Sequence, residues 1–308
     1  MLFEANKRYF HHYKKFFFMF ATQFLHQTTE KHNHMKKALL ITASLLGLLN
    51  LSCISDDWED KSENSTIVEQ PIVGKFLKNV LIEDYTGTWC QYCPRVLHGL
   101  NQVEEEHLDA FPVSIHRTSG SSVDPYNFPA APLELTIGLS GYPTAMLNRK
   151  ILWDNEISTT EIKNQIKLNS DLGIALNSTV AGGNINLDVN IKFAADLSNL
   201  KLVVYILENG LVYDQVNATG YFGAQNPIPS FTHNHVLRSS LTDLVNGEAL
   251  TGTNNGAIIT KNFSIPVPSN VSNANNISFV AFVIDATGKA INVRGADSNT
   301  IQTFQENL

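Results

Sequence analysis

Residues 87–95 read GTWCQYCPR, two thiols separated by two residues. They lie where an apolar strand, VLIEDY (80–85), gives way through a short turn to a helical pattern in RVLHGLNQVEEEH (95–107). In that pattern Val96, Leu97, Leu100 and Val103 share one face. A cysteine at the N-terminus of a helix meets free N–H groups and the positive end of the macrodipole, which stabilise a thiolate. On this reading Cys90 sits at the helix start, Cys93 lies one turn inward, and Pro94 occupies a first turn that tolerates its missing N–H. A structural zinc site takes four ligands. The remaining cysteine, Cys53, lies far upstream, and His98 and His107 are nine residues apart, off the usual spacing. Zinc is therefore not expected, and no other metal or cofactor is implied. A redox pair and a structural staple remain.

Cys53 lies in MKKALLITASLLGLLNLSCISDDWED. Lys36 and Lys37 precede an apolar run that is short for a bilayer span, and small Ser52 stands before the cysteine. This reads as a signal peptide over residues 35–52. Ser-Cys at its end resembles a bacterial lipobox, which implies that Cys53 is lipidated and becomes the mature N-terminus. Asn50 departs from the usual apolar residue at that place. The alternative is a cleaved secretory signal with an incidental cysteine. SDDWED resembles the acidic tag that carries some lipoproteins to the cell surface, with a solvated acidic linker as the alternative. Residues 1–34 precede a complete signal, so translation is expected to begin at Met35, and they are set aside as an upstream extension.

Residues 1–52 hold seven of the 22 basic and two of the 29 acidic residues. The mature chain thus carries 15 and 27, a formal charge of −12. An acidic body without a basic tract argues against nucleic acid as a partner. Residues 53–73 read as an acidic tether. Residues 74–169 mix strand and helix patterns: FPVSIH and YPTAMLN are strands, and TTEIKNQIKLN is a helix with Thr159 or Thr160 as its cap. After residue 170 only strands are expected. In GNINLDVNIKF, Ile185, Leu187, Val189 and Ile191 alternate with polar residues. Several strands without helices indicate a β-sandwich, immunoglobulin-like, over residues 170–308. His233 and His235 would share a strand face, a geometry for a metal pair. With no third ligand in view, they read instead as strand-surface or domain-interface residues.

TWCQYC after an apolar strand, followed much later by GYPT, resembles the thioredoxin fold. The resemblance implies an α/β domain over residues 74–169 in which Cys90 is the nucleophile, Cys93 the resolving thiol and Pro143 a cis-proline beside the disulfide. It makes Asp84 the buried acid that helps deprotonate Cys93, and desolvation on a central strand would raise its pKa. Glu83 is the alternative inward carboxylate. Trp89 packs against the thiols in that family. Tyr142 would offer backbone groups and an apolar wall to an extended substrate segment. Residues 117–139 read as an insertion over the active face. Over residues 74–308, YTGTWCQYCPR, GYPTAMLNR and HNHVLRSSL resemble the outer membrane protein 28-related lipoproteins, which implies an outer-membrane lipid anchor. The expected function is thiol-disulfide exchange on envelope or extracellular proteins. The rival is a binding or scaffold lipoprotein whose sandwich engages a protein or glycan, because a fold does not fix a function.

Overall fold

Apolar alternation and short apolar runs become strands throughout residues 75–307, which the computed structural model describes. The first part supplies β1 (Lys75–Leu77), β2 (Val80–Thr86), α1 (Pro94–Glu105), β3 (Ala110–His116), α2 (Ala131–Ile137), β4 (Thr144–Leu147), β5 (Ile151–Leu152), α3 (Thr160–Ile166) and β6 (Asn169–Ser170). Strands then follow almost unbroken: β7 (Leu172–Ala181), β8 (Asn184–Phe193), β9 (Lys201–Glu208), β10 (Leu211–Gln215), β11 (Ile228–His233) and β12 (Val236–Ser240). The chain continues with β13 (Glu248–Ala249), β14 (Ile258–Pro266), β15 (Ile277–Ile284), β16 (Ala290–Asp297) and β17 (Glu306–Asn307). The readings of Met35, Cys53 and the acidic tag lie outside the described residues.

The main sheet has the order β16-β15-β9-β12-β3-β2-β4-β5, with β13 also paired to β9. The change from mixed to all-strand sequence at residue 170 does not interrupt it. β12 joins β3 in parallel through Val236 and Ser114. β2 and β3 are parallel, as a strand–helix–strand crossover requires, and β4 is antiparallel to β2. A separate sheet, β14-β8-β7, stacks on part of this one. The architecture is mostly β with several sheets, consistent with a β-sandwich.

The period of two along each strand assigns its residues to different cores. On one face of the main sheet Leu81, Tyr85, Val113, Val203, Tyr205 and Phe282 pack beneath Phe128, Ala130 and Leu133 of the insertion. The opposite face is divided. Val80 and Ile82 pack with Val96, Leu100 and Val103 of α1 and Ile162 of α3. Leu202, Val204 and Ile206 meet Ile185, Leu187, Val189 and Ile191 of β8, the residues whose alternation marks them as inward. β9 and β15 are buried on both faces, which explains their continuous apolar runs.

Three local expectations change. α1 starts at Pro94, so both cysteines precede the helix and Cys93 occupies the N-cap position rather than lying one turn inside. Thr159 precedes α3 but makes no side-chain cap. Its hydroxyl donates instead to Glu106 at the end of α1, 2.7 Å away, tying the two helices together. β11 ends at His233, and His235 has a positive φ of 57° in the turn that follows, so the two imidazoles do not share a strand face.

Gly99 marks the closest approach of α1 to its surroundings. A Cβ there would lie 2.0 Å from the carbonyl oxygen of Glu156 and 3.0 Å from the Trp153 ring. Because the obstacle is backbone, Gly99→Ala should push α1 off the 153–158 loop and lower stability by roughly 1–3 kcal/mol. Urea midpoints of the two proteins test this. An unchanged or raised midpoint would show that the helix has room to spare.

Candidate functional site

The end of β2 delivers a tight turn. Cys90 N–H donates to Gly87 at 3.0 Å, and Cys93 N–H to the Cys90 carbonyl at 3.3 Å. Cys90 and Cys93 are joined in a disulfide with Cα atoms 5.4 Å apart. Cys93 is wholly buried and Cys90 is 4% exposed, while Tyr92 between them is 51% exposed. The turn is thus a solvent-facing knuckle over buried sulfurs.

Glu83 and Asp84 are both fully buried, and adjacent strand residues face opposite ways. Glu83 enters the core beneath the insertion, where Arg149 pairs with it at 3.2 Å and Tyr205 donates to it at 3.3 Å. Asp84 lies on the face of β2 that α1 covers, and neither of its carboxylate oxygens has a hydrogen-bond partner. Burial pushes its pKa well above the ordinary carboxylate value, and the negative charge of Glu156 adds to the effect. Glu156 itself pairs with Arg95 in the first turn of α1 at 3.0 Å. Of the two candidate acids, Asp84 is therefore the one left free of structural bonds.

Pro143 follows a cis peptide bond. The next residues, Thr144 and Ala145, pair with Tyr85 and Asp84, which brings Pro143 to the same end of the sheet as the cysteine turn. Trp89 and Tyr142 meet edge to face with ring centres 5.5 Å apart. The indole N–H donates to the Arg117 carbonyl at 2.7 Å. The Tyr142 hydroxyl donates to Glu134, which also pairs with Arg117 at 2.7 Å. Burial, followed by this bond to a carboxylate, pushes the Tyr142 phenol up to about 12. The structure therefore gathers Asp84, Trp89, Cys90, Cys93, Tyr142 and Pro143 at one end of the sheet.

Several residues at this place are not among those singled out from the sequence. Asp124, from the insertion, accepts the Thr88 N–H at 2.7 Å and pairs with buried His116 at 3.1 Å. Burial acts to raise its pKa, but the bonds from His116, Thr88 and Tyr126 hold it below the usual value. The turn chemistry of Asp124-Pro125-Tyr126 hints at its role, because its second oxygen accepts the Tyr126 N–H at 2.8 Å. From the far part of the chain, Gln215 donates from its amide nitrogen to the carbonyls of Cys90 and Gly87 at 3.1 and 3.3 Å. Val216 and Ala218 N–H groups donate to Thr88 and Gln91 at 2.8 and 2.7 Å.

The histidines separate. His98 stacks on Tyr221 with ring centres 4.5 Å apart. His233 is buried against His116, and burial, then the neighbouring His116, lowers its pKa to about 4. His235 pairs with Glu104 at 2.6 Å. Among the described residues no group of three or more His, Cys, Asp or Glu side chains is placed to hold a metal ion. Among the same residues no helix is long and apolar enough to cross a membrane.

Comparison with known proteins adds the following. No curated protein matches the chain. Among solved structures it is similar to HBP35 of Porphyromonas gingivalis, with 20% identity and a TM-score of 0.57 over 74% of this chain and 78% of that one. That likeness is one of fold. Two structures of a Kluyveromyces marxianus β-glucosidase, one selenomethionine-labelled and one with glucose, match at 14% and 11% identity. They cover 46% and 52% of this chain and 15% and 19% of theirs, at TM-scores of 0.20 and 0.21, too low to support an argument. The sequence model described as Outer membrane protein Omp28 matches residues 130–302, more than half of the chain, beginning after the cysteine turn and including Tyr142, Pro143 and Gln215. The chain belongs to the Omp28 outer membrane protein family.

Proposed function

We propose that this protein is an outer-membrane lipoprotein, anchored through Cys53 and facing the exterior, whose Cys90–Cys93 pair exchanges disulfides with envelope or extracellular proteins. On this reading β2, α1, β3, β4 and α3 form a thioredoxin-like unit, and the strands from Leu172 onward form an immunoglobulin-like sandwich. The observation that carries the proposal is Asp84. A staple needs no carboxyl, and a fully buried carboxyl without a partner lowers stability. Its place on the strand that feeds the turn suits it to proton transfer with Cys93.

In the reducing direction the Cys90 thiolate attacks a substrate disulfide. A bond forms between Cys90 and one substrate sulfur, the substrate bond breaks, and the departing thiolate takes up a proton. Cys93 passes its proton to the Asp84 carboxylate and attacks the Cys90 sulfur. The Cys90–Cys93 bond re-forms, the second substrate thiolate leaves, and two electrons have moved from this pair to the substrate. The reverse sequence oxidises a substrate dithiol. A second thiol/disulfide couple returns the pair to its starting state. Trp89 and Tyr142 wall the approach, and the backbone before Pro143 offers an extended segment its hydrogen bonds.

One observation favours the rival reading of a binding or scaffold lipoprotein: both cysteines are almost fully buried. The two readings separate in Cys93→Ser, which permits attack but not resolution. Exchange predicts mixed disulfides between Cys90 and envelope proteins, recoverable by thiol-trapping gels; a staple predicts none.

Asp84→Asn tests the acid. A carboxyl whose folded pKa is raised takes up protons on folding, so stability falls as pH rises from about 3.8 through the folded value. The Asn variant should lack that decline, be the more stable protein at pH 8, and resolve mixed disulfides roughly a hundredfold more slowly, at the low end of general acid–base contributions. A variant that is less stable at pH 8 and resolves at the wild-type rate would remove Asp84 from the mechanism.

The anchor has its own test. Mass spectrometry of the membrane-bound protein should find lipid on Cys53 and no peptide from residues 1–34. Replacing Asp56, Asp57 and Glu59 with Ala should protect the protein from protease added to whole cells. An unmodified Cys53 would contradict the anchor, and undiminished digestion would contradict the tag.

A further inference from the structure

The cysteine turn is bonded along its length by a hairpin whose sequence lies more than 120 residues away. β10 and β11 pair antiparallel, with a register shift between Tyr213 and Gln215. Such a bulge re-aims the following side chain. Tyr213 is 48% exposed, yet Gln215, two residues on, is fully buried. Its amide nitrogen meets three carbonyl oxygens, those of Cys90, Gly87 and Val216, at 3.1, 3.3 and 3.0 Å. Only an NH2 group can face three acceptors, so the amide orientation is determined by its neighbours. The other end of the amide is left without a partner, because the Gln215 Oε1 atom is buried and accepts no hydrogen bond. An unsatisfied buried acceptor is destabilising. A residue kept only for packing would avoid that penalty by being apolar.

We propose that Gln215 is a positioning residue for thiol-disulfide exchange, setting the reduction potential of the Cys90–Cys93 pair by donating to the carbonyls that surround Cys90; this rests on the exchange reading. The physical reason is local charge. The Gln215 amide brings two N–H protons to the carbonyls of Gly87 and Cys90, within the turn that carries the reactive sulfur, and offsets their negative charge. A thiolate on Cys90 gains from that offset, whereas a neutral disulfide gains little. Gln215 thus favours the reduced, ionised form. Val216 and Ala218 hold the Thr88 and Gln91 carbonyls through backbone N–H groups and are insensitive to substitution at 215, so the turn keeps its clamp when the amide is removed.

The test is the equilibrium of the full-length protein with reduced and oxidised glutathione, which can be measured whether or not the pair acts on protein substrates. Gln215→Met keeps the length of the side chain and removes the donors. It should move the equilibrium about tenfold toward the disulfide, which is about 30 mV for a two-electron couple. Gln215→Leu, likewise without donors, should move it the same way. A potential unchanged in both folded variants, with only the melting temperature lowered, would show a purely structural amide and overturn the proposal. A second measurement uses the wild type and so does not depend on a variant folding: the Gln215 side-chain amide resonances should shift when the disulfide is reduced. Resonances that stay fixed on reduction would likewise overturn it. Failure of Cys93→Ser to trap partners, with the potential still dependent on Gln215, would instead remove the exchange reading and leave the tuning in place.

Discussion

The junction of β3 with β12 is the contact on which the rest of the arrangement depends. Ser114 donates its N–H to the His235 carbonyl at 2.8 Å, and Val236 pairs in parallel with Ser114. A strand left at a sheet edge presents unpaired backbone groups, and this pairing covers that edge of β3 at Ser114. It also makes one sheet of segments that would otherwise be separate. The hairpin β10–β11 immediately precedes β12, so anchoring β12 against β3 carries that hairpin to the end of the sheet where the cysteine turn lies. The bonds from Gln215, Val216 and Ala218 to the turn follow from this placement.

Polar groups around the turn divide into those satisfied by structure and those left free. Glu83, Arg149 and Tyr205 form a bonded set within the core beneath the insertion, and the Arg149 guanidinium also donates to the carbonyls of Leu244 and Val245. Asp124 is likewise consumed by Thr88, Tyr126 and His116. Asp84 and the Gln215 Oε1 atom are different, being buried without partners. Both lie at the end of β2 or against the turn it feeds.

Parts of this were legible in the sequence. The alternation in β8 marks Ile185, Leu187, Val189 and Ile191 as inward because one face of that strand meets a core and the other is the more exposed. The strand–turn–helix frame of the cysteines was equally clear, since each part has a distinct period. The facing of Glu83 and Asp84 was not, because β2 is covered on both sides and its pattern is continuously buried. A period of two puts His233 and His235 on one face only if the strand continues, and the turn after His233 separates them. Gln215 was invisible. Its contacts span 125 and 128 residues, and they depend on a bulge that no local pattern announces. The continuity of the main sheet across residue 170 rests on the short β3–β12 junction, which leaves no periodic trace.

On the exchange reading proposed above, the turn between β2 and α1 holds a reactive thiolate once the disulfide is reduced. Alkylation rates of the fully reduced protein, followed separately for Cys90 and Cys93 as pH is varied, test it most directly. Cys90 should react much faster near neutrality, with an inflection below the free-thiol value of about 8.5, while Cys93 stays protonated and slow. Equal rates for the two thiols, with both inflections at about 8.5 or above, would contradict it.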